Sequence, residues 1–154
     1  MKRILFVCTG NTCRSPMAEA LFRARVKAAG SEWEVRSAGV AAYDGQPASP
    51  QAVEVMEEYG ITHDHQASRV NSELINWADV ILTMTGSHKS LVVNYFPDAQ
   101  SKVYTLMEFV GVEGLGDIAD PFGGSVEEYR RCAQELDHLL DRLWAQLEKG
   151  EQKR

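Results

Sequence analysis

Short apolar runs and longer amphipathic segments alternate along the chain, and this alternation predicts an α/β protein. The first run, at residues 2–8, is apolar after its two basic residues, which is typical of a strand buried on both faces of a parallel sheet. Three further strands are predicted at residues 33–40, 79–84 and 102–105. We therefore expect a three-layer α/β sandwich of the Rossmann or flavodoxin type, with a central four-stranded parallel sheet.

Serine, proline and glycine mark the ends of the helices between these strands. Ser15-Pro16 predicts the start of the first helix, with Ser15 as its N-cap, and Gly30 predicts its end. Ser49-Pro50 and Gly60 bound a second helix in the same way. The longest helix is predicted to start at the capping box Ser125-Val126-Glu127-Glu128. Three shorter helical segments are predicted at residues 72–77, 87–95 and 107–110.

The composition is that of one ordinary globular domain. Of the 154 residues, 44% are hydrophobic and 25% are charged, so we expect a single domain over residues 1–154 with a frayed charged tail at 149–154. The formal net charge of -6 argues against a nucleic-acid partner. Because no apolar run is long enough to span a bilayer and no signal-like segment opens the chain, we expect a cytoplasmic protein without a membrane partner.

The candidate chemistry lies in the loop after the first strand. We call residues 8–15 the cradle, and their sequence is Cys8-Thr9-Gly10-Asn11-Thr12-Cys13-Arg14-Ser15. A loop of this length can curl its N–H groups inward around an anion, and the following helix aims its positive end at the same point. We expect this environment to lower the pKa of Cys8 and make it a nucleophile, with Arg14 as a bidentate ligand for a phosphoryl group. The Ser15 hydroxyl is placed to donate to the sulfur.

The segment Val7-Cys8-Thr9-Gly10-Asn11-Thr12-Cys13-Arg14-Ser15-Pro16 resembles the signature of the low-molecular-weight protein tyrosine phosphatases. Asp120-Pro121 resembles the general-acid loop of that family, and the likeness covers nearly the whole chain. The resemblance implies a cysteine-dependent protein phosphatase with a phosphocysteine intermediate, in which Cys8, Arg14 and Asp120 are catalytic. Its partners would be phosphorylated proteins, its product inorganic phosphate, and it would need no cofactor.

Thr12 indicates which phosphorylated side chain is hydrolysed. The tyrosine-directed branch of the family usually has an aliphatic residue at this place, which packs on a phenyl ring, whereas a threonine hydroxyl can accept from a guanidinium. Thr12 and the acid loop from Asp120 to Ser125 resemble the protein-arginine phosphatase branch. We therefore expect phosphoarginine as the substrate, with phosphotyrosine as the alternative. Phe122 and Tyr43 would flank the substrate.

The other cradle residues have structural or binding roles in this interpretation. Asparagine tolerates the left-handed backbone of a tight ring, and the family links Asn11 to a serine and a histidine that align with Ser37 and His65. Cys13 is the expected disulfide partner of an oxidised Cys8, as in the family. The residues predicted to contact phosphate or substrate are Thr9, Gly10, Asn11, Thr12, Cys13, Ser15 and Phe122.

Three alternatives remain at this point. A thioredoxin-coupled arsenate reductase has a similar cradle but needs a further reactive cysteine pair, and Cys132 lies within a predicted helix. A non-catalytic phosphate-binding or redox-sensing module would not need Cys8, Arg14 and Asp120 together. A metal site at His63 and His65 lacks further spaced ligands, so no metal is expected.

Overall fold

The computed structural model describes residues 2–62, 64–112 and 117–152, the last four of these as backbone only. Four strands form one parallel sheet in the order β2-β1-β3-β4. The strands are β1 (Arg3–Cys8), β2 (Glu34–Gly39), β3 (Val80–Thr83) and β4 (Val103–Thr105). The predicted four-stranded parallel sheet is thus confirmed, with the predicted boundaries within two residues of those observed.

Six α-helices and one 3-10 helix connect or follow these strands within the described residues. The 3-10 helix, Pro97–Lys102, had no counterpart in the sequence prediction, because its polar composition resembles a loop. The α-helices are α1 (Arg14–Ala28), α2 (Pro50–Glu58), α3 (Ser72–Trp77), α4 (Gly86–Tyr95), α5 (Leu106–Phe109) and α6 (Val126–Gln152).

Strand β1 lies at the centre of three layers. Its side chains alternate between two cores, because successive residues of a strand point to opposite faces of the sheet. Ile4 and Phe6 pack in the core that α1, α2 and α6 cover, whereas Leu5 and Val7 pack in the core that α3 and α4 cover. All four are fully buried, which explains the uninterrupted apolar run and confirms the three-layer prediction.

The start of helix α1 differs from the prediction. Cys13, not Ser15, is the N-cap residue, and no side chain caps the helix. The Ser15 hydroxyl instead contacts the Cys8 sulfur, so it is used inside the cradle and not at its own helix terminus. Pro16 falls in the first turn, where its missing N–H has no intrahelical partner to lose.

The C-terminal helix also differs from the prediction. Helix α6 continues to Gln152, so the backbone of residues 149–152 is helical, whereas the sequence prediction ends the helix before the charged tail. At its start, the Ser125 hydroxyl accepts from the Glu128 amide at 3.2 Å, which is half of the predicted capping box. A complete capping box occurs at Thr105 and Glu108, at the start of α5.

None of the helices in the described ranges is long and apolar enough to cross a bilayer.

The sheet order places the cradle at the point where the chain reverses direction across the sheet. From β1 the connection runs to β2 on one side, and the later strands β3 and β4 add on the other side. Ligands of open parallel sheets bind at this switch point, outside the carboxyl ends of the strands. Gly39, at the end of β2, approaches the cradle so closely that a Cβ would lie 2.4 Å from the Thr9 carbonyl oxygen and 2.8 Å from the Asn11 nitrogen.

We expect Gly39→Ala to destabilise the protein by about 1–3 kcal/mol, because its methyl group would overlap the cradle backbone. The free energy of unfolding from urea titration measures this effect. Gly86→Ala is the matched control, since a Cβ there would meet its nearest neighbour, Asp117 Oδ1, at 3.9 Å. Equal stabilities of the two variants would contradict the close approach of Gly39 to the cradle.

Candidate active site

Asn11 holds the cradle in shape. It is the one residue other than glycine with a positive φ, 55°, in the part of the chain described, and it is completely buried. Its Nδ2 donates to the hydroxyls of Ser15 at 2.8 Å and Ser37 at 2.9 Å, and its Oδ1 accepts from the Ser68 amide at 2.9 Å. His65 Nε2 donates to the Asn11 carbonyl oxygen at 2.6 Å. The predicted contacts of Asn11 with Ser37 and His65 are therefore present.

The hydrogen-bond network continues to a residue that the sequence interpretation missed. The Ser37 hydroxyl donates to Glu19 Oε1 at 2.5 Å, and the other carboxylate oxygen pairs with Arg23 at 2.6 Å. Glu19 is 94% buried as a residue, with 6% of its surface exposed. A glutamate on an amphipathic helix ordinarily faces solvent, so only the tertiary position of Ser37 identifies this carboxylate as a structural acceptor.

Ser15 presents its proton to the Cys8 sulfur. The two atoms Ser15 Oγ and Cys8 Sγ are 2.8 Å apart, and Ser15 Oγ already accepts from Asn11 Nδ2. A Cys8 thiolate can only accept, so the one proton of the Ser15 hydroxyl is the donor in that state and stabilises the negative charge on the sulfur.

Burial dominates the acidity of Cys8. The residue is 2% exposed, and desolvation raises the pKa of its thiol, while the Ser15 hydroxyl, the Ser15 and Asn11 amides and the Arg14 charge lower it. The net direction is upward, so the sequence-based prediction of a lowered pKa is wrong for the site as described here. The predicted stabilising groups are all in place, but removal of the thiolate from water outweighs them.

Arg14 is buried and fixed from two sides. Its Nη1 donates to the Ile118 carbonyl oxygen at 2.9 Å, and its Nη2 lies 3.4 Å from Thr9 Oγ1 and 3.5 Å from Asp120 Oδ2. Only 4% of the residue is exposed. The guanidinium therefore faces the cavity with its orientation already set by the loop that carries Asp120.

Asp120 and Asp117 make different contacts. Asp120 Oδ1 accepts from the Phe122 amide at 3.0 Å, its other oxygen faces Arg14, and its side chain is 48% exposed. Asp117 Oδ1 instead accepts from the Gly86 amide at 2.8 Å and so binds the first turn of α4. Asp120 therefore lies at the cavity, whereas Asp117 holds the loop against α4.

These side chains surround a cavity of about 280 Å³ above Cys8. Two aromatic side chains stand at its rim, Tyr43 with 77% and Phe122 with 74% of its surface exposed. Both predicted flanking residues are therefore beside the cradle. The complete lining consists of Cys8, Thr9, Gly10, Thr12, Cys13, Arg14, Ala41, Tyr43, Gln46, Asp120 and Phe122.

The three cysteines are free and buried, and each has a different environment. Cys13 Sγ lies 3.0 Å from the Tyr129 hydroxyl and 3.8 Å from that of Ser49, and Cys13 lines the cavity with Cys8. Burial raises the pKa of Cys132 to about 12. Cys132 is buried in α6, the helix in which the sequence places it, and its raised pKa disfavours the reactive thiolate.

The histidines considered as metal ligands do not form a described metal site. His65 donates to the Asn11 carbonyl oxygen, and His63 lies outside the described residues. Among the described residues, no group of three metal-ligating side chains is present.

Comparison with known proteins gives consistent matches along the whole chain. A family model described as low molecular weight phosphotyrosine protein phosphatase matches residues 3–153. A protein-arginine-phosphatase from Geobacillus stearothermophilus is 50% identical over 147 residues, which cover 95% of this chain and 96% of the relative.

Solved structures agree with the fold. YwlE arginine phosphatase from Geobacillus stearothermophilus superposes with a TM-score of 0.94 at 47% identity, covering 100% of this chain and 97% of that one. A cysteine-to-serine mutant of YwlE arginine phosphatase with a phosphorylated active-site serine has a TM-score of 0.92 at 46% identity, covering 96% of each chain.

We expect Ser15→Ala to raise the pKa of Cys8 further, because the variant loses the hydroxyl proton that stabilises the thiolate. The rate of inactivation by iodoacetamide follows the thiolate fraction, so its pH profile should move to higher pH. Ser90→Ala, at an exposed position of α4, is the control and should leave the profile in place. An unchanged profile for Ser15→Ala would contradict the direction of the Ser15 hydroxyl assigned here.

Proposed function

This chain belongs to the low molecular weight phosphotyrosine protein phosphatase family, and we propose that it hydrolyses phosphoarginine in proteins through a phosphocysteine intermediate. The observation that carries the proposal is Thr12, whose position lines the cavity together with Cys8 and Asp120. The relatives named as protein-arginine phosphatases match over nearly the full chain, which supports the same assignment.

The cavity suits a phosphorylated guanidinium. Such a group is planar and carries N–H donors that need acceptors once they leave water. The Thr12 hydroxyl and the Asp120 carboxyl provide acceptors of this kind at the cavity wall. Phe122 and Tyr43, at the rim, offer flat apolar faces on either side of a planar group and its aliphatic stem.

In the first step, Cys8 loses its proton to solvent and the thiolate attacks phosphorus. The P–S bond forms as the P–N bond breaks, and the leaving nitrogen keeps the bonding electrons and takes a proton from the Asp120 carboxyl. Arg14 and the inward amides of the cradle bind the phosphoryl oxygens, whose charge they stabilise most strongly in the transition state. Ser15 stabilises the sulfur as nucleophile and later as leaving group.

In the second step, water hydrolyses the phosphocysteine. The Asp120 carboxylate takes a proton from the water, whose oxygen attacks phosphorus while the P–S bond breaks. Inorganic phosphate leaves and the Cys8 thiolate is restored. The phosphorylated active-site serine in the cysteine-to-serine YwlE mutant supports phosphorylation at the corresponding nucleophile.

Phosphotyrosine is the alternative substrate, and the description of the family model supports it. A tyrosine ring has no N–H donors to pair with Thr12, and an aliphatic residue would pack better against it. An arsenate reductase mechanism would need a further reactive cysteine pair, whereas Cys132 is buried with a raised pKa. These features favour phosphoarginine hydrolysis.

Cys13 is proposed as the partner that protects an oxidised Cys8. Peroxide would convert the Cys8 thiolate to a sulfenic acid, and the Cys13 thiol would attack that sulfur to form a disulfide and release water. Both residues line one cavity, which supports this pairing. Reduction by an external thiol would then restore Cys8.

Thr12→Ile should shift selectivity from phosphoarginine towards phosphotyrosine by roughly tenfold or more, because the guanidinium loses an acceptor and the ring gains apolar contact. The measurement is the ratio of kcat/KM for phosphoarginine and phosphotyrosine peptides in one assay. Thr62→Ile, at an exposed position outside the cavity, is the control. A ratio that does not change in Thr12→Ile would refute the role of Thr12 in substrate choice.

Cys13→Ala should make inactivation by peroxide irreversible, because no thiol remains to capture the Cys8 sulfenic acid before further oxidation. Activity is measured after peroxide treatment, with and without later addition of dithiothreitol. The native chain should recover and Cys132→Ala should recover equally. Full recovery of Cys13→Ala would show that Cys13 is not the protective partner.

A further inference from the structure

His88 is a buried histidine of α4 that contacts the cradle from the side of the sheet formed by β3 and β4. It lies in the first turn of α4, where its backbone amide donates to the Thr85 hydroxyl at 3.2 Å. Only 5% of the residue is exposed. The neighbouring Gly86 amide is bound by Asp117, so two contacts hold this turn, and with it the His88 backbone, in place.

The His88 ring makes one hydrogen bond, to the cradle. Its Nε2 lies 2.8 Å from Thr9 Oγ1, and Nδ1 has no hydrogen-bond partner among the residues the structure describes. A buried N–H without an acceptor is costlier and rarer than an unpaired acceptor lone pair. The proton of the neutral ring therefore belongs on Nε2, which donates it to the Thr9 oxygen.

This tautomer determines what Thr9 can do. Thr9 Oγ1 accepts from His88 and, over 3.4 Å, from Arg14 Nη2. Both of its acceptor sites are then occupied. The hydroxyl can therefore form only one more hydrogen bond, by donating its own proton. Because Thr9 lines the cavity, that proton is free to point to a bound phosphoryl oxygen.

We propose that His88 is a positioning residue that orients the Thr9 hydroxyl as a hydrogen-bond donor to the phosphoryl group in the cavity. His88 does not itself contact the substrate. It acts through Thr9, and it also fixes the hydroxyl that contacts Arg14. The inference deepens the proposed phosphatase function, but it applies to any phosphoryl group that the cradle binds.

The charge state of His88 is consistent with this role. Burial and the nearby Arg14 charge lower the pKa of His88 to about 4, although Asp120 and Asp117 act in the opposite direction. The ring is therefore neutral at physiological pH and keeps a single N–H. A second N–H, at Nδ1, would be a buried donor without an acceptor among the described residues.

The tautomer is tested directly by NMR of the full chain labelled with ¹⁵N at its histidines. The ring nitrogen shifts and their couplings to ring protons distinguish the Nε2–H from the Nδ1–H form. The proposal requires Nε2–H in His88 at neutral pH. Observation of the Nδ1–H form would overturn it, since Thr9 would then donate to His88 and not to the ligand.

The coupling between the two side chains is tested with His88→Leu, Thr9→Val and the double variant. The affinity for inorganic phosphate is measured by calorimetry, and kcat/KM is measured with p-nitrophenyl phosphate. Thr9→Val should lose roughly 10–100-fold in phosphate affinity, as expected for one hydrogen bond to a charged oxygen, and His88→Leu should lose a large part of the same amount. The double variant should lose no more than Thr9→Val alone, because His88 acts only through Thr9.

His88→Gln is the conservative variant, because its amide N–H can replace the Nε2 donor. It should retain phosphate affinity within about twofold of the native chain, whereas His88→Leu should not. Additive losses in the double variant, or unchanged phosphate affinity in His88→Leu, would overturn the proposal. These measurements use inorganic phosphate and p-nitrophenyl phosphate, so they remain valid if the substrate is not phosphoarginine. The peptide assay on Thr12→Ile tests the substrate assignment separately.

Discussion

The active-site loop depends on one buried asparagine in a left-handed conformation. Asn11 uses every hydrogen-bonding group of its amide, and its carbonyl is bound as well. A tight loop that turns its amides inward leaves several backbone groups without regular partners, and buried polar groups without partners are costly. Asn11 ties the loop to Ser15, Ser37 and Ser68, and His65 binds its carbonyl oxygen, so these contacts hold the phosphate-binding shape before a ligand arrives. Such preorganisation makes the loop amides effective in catalysis, because they do not have to reorganise during the reaction.

The same asparagine links loop shape to the chemistry of the nucleophile. Its bond to Ser15 leaves the serine proton for Cys8, so structural and chemical roles share one chain of hydrogen bonds. That chain continues through Ser37 to Glu19. The environment still disfavours a bare thiolate, since burial of Cys8 raises its pKa. A sulfur held in this way is protected from water, and its anionic form depends on the donors around it.

A second set of contacts reaches the cradle from the opposite half of the sheet. Arg14 is held by the Ile118 carbonyl, and Thr9 is held by His88. These contacts come from α4, which follows β3 in the chain, and from the loop before α6, which follows β4 and α5. The switch point between β1 and β3 is therefore where two halves of the fold meet on one loop. Arg14 also faces Asp120, so the proposed acid and the phosphate ligand are positioned by the same segment.

The resemblance to a known family added Asp120 as the expected acid, whereas the sequence by itself determined the fold class and the cradle that carries Cys8 and Arg14. These features follow from local patterns, because a buried strand, turn residues and a short phosphate-binding loop can each be recognised from consecutive residues. The resemblance to a known family supplied Ser37 and His65, and the structure placed both beside Asn11.

Only the tertiary structure decided the contacts between distant segments. Glu19, Gly39 and His88 have no local signal, since an acid on a helix, a glycine after a strand and a histidine in a helix are all common. The direction of the Cys8 pKa also required the fold, because the helix terminus can be predicted from sequence but the extent of desolvation cannot. The structure was also needed to show that the Ser15 hydroxyl contacts the Cys8 sulfur and does not cap the helix. Burial and hydrogen-bond partners depend on which segments pack together, and that information is not local in the chain.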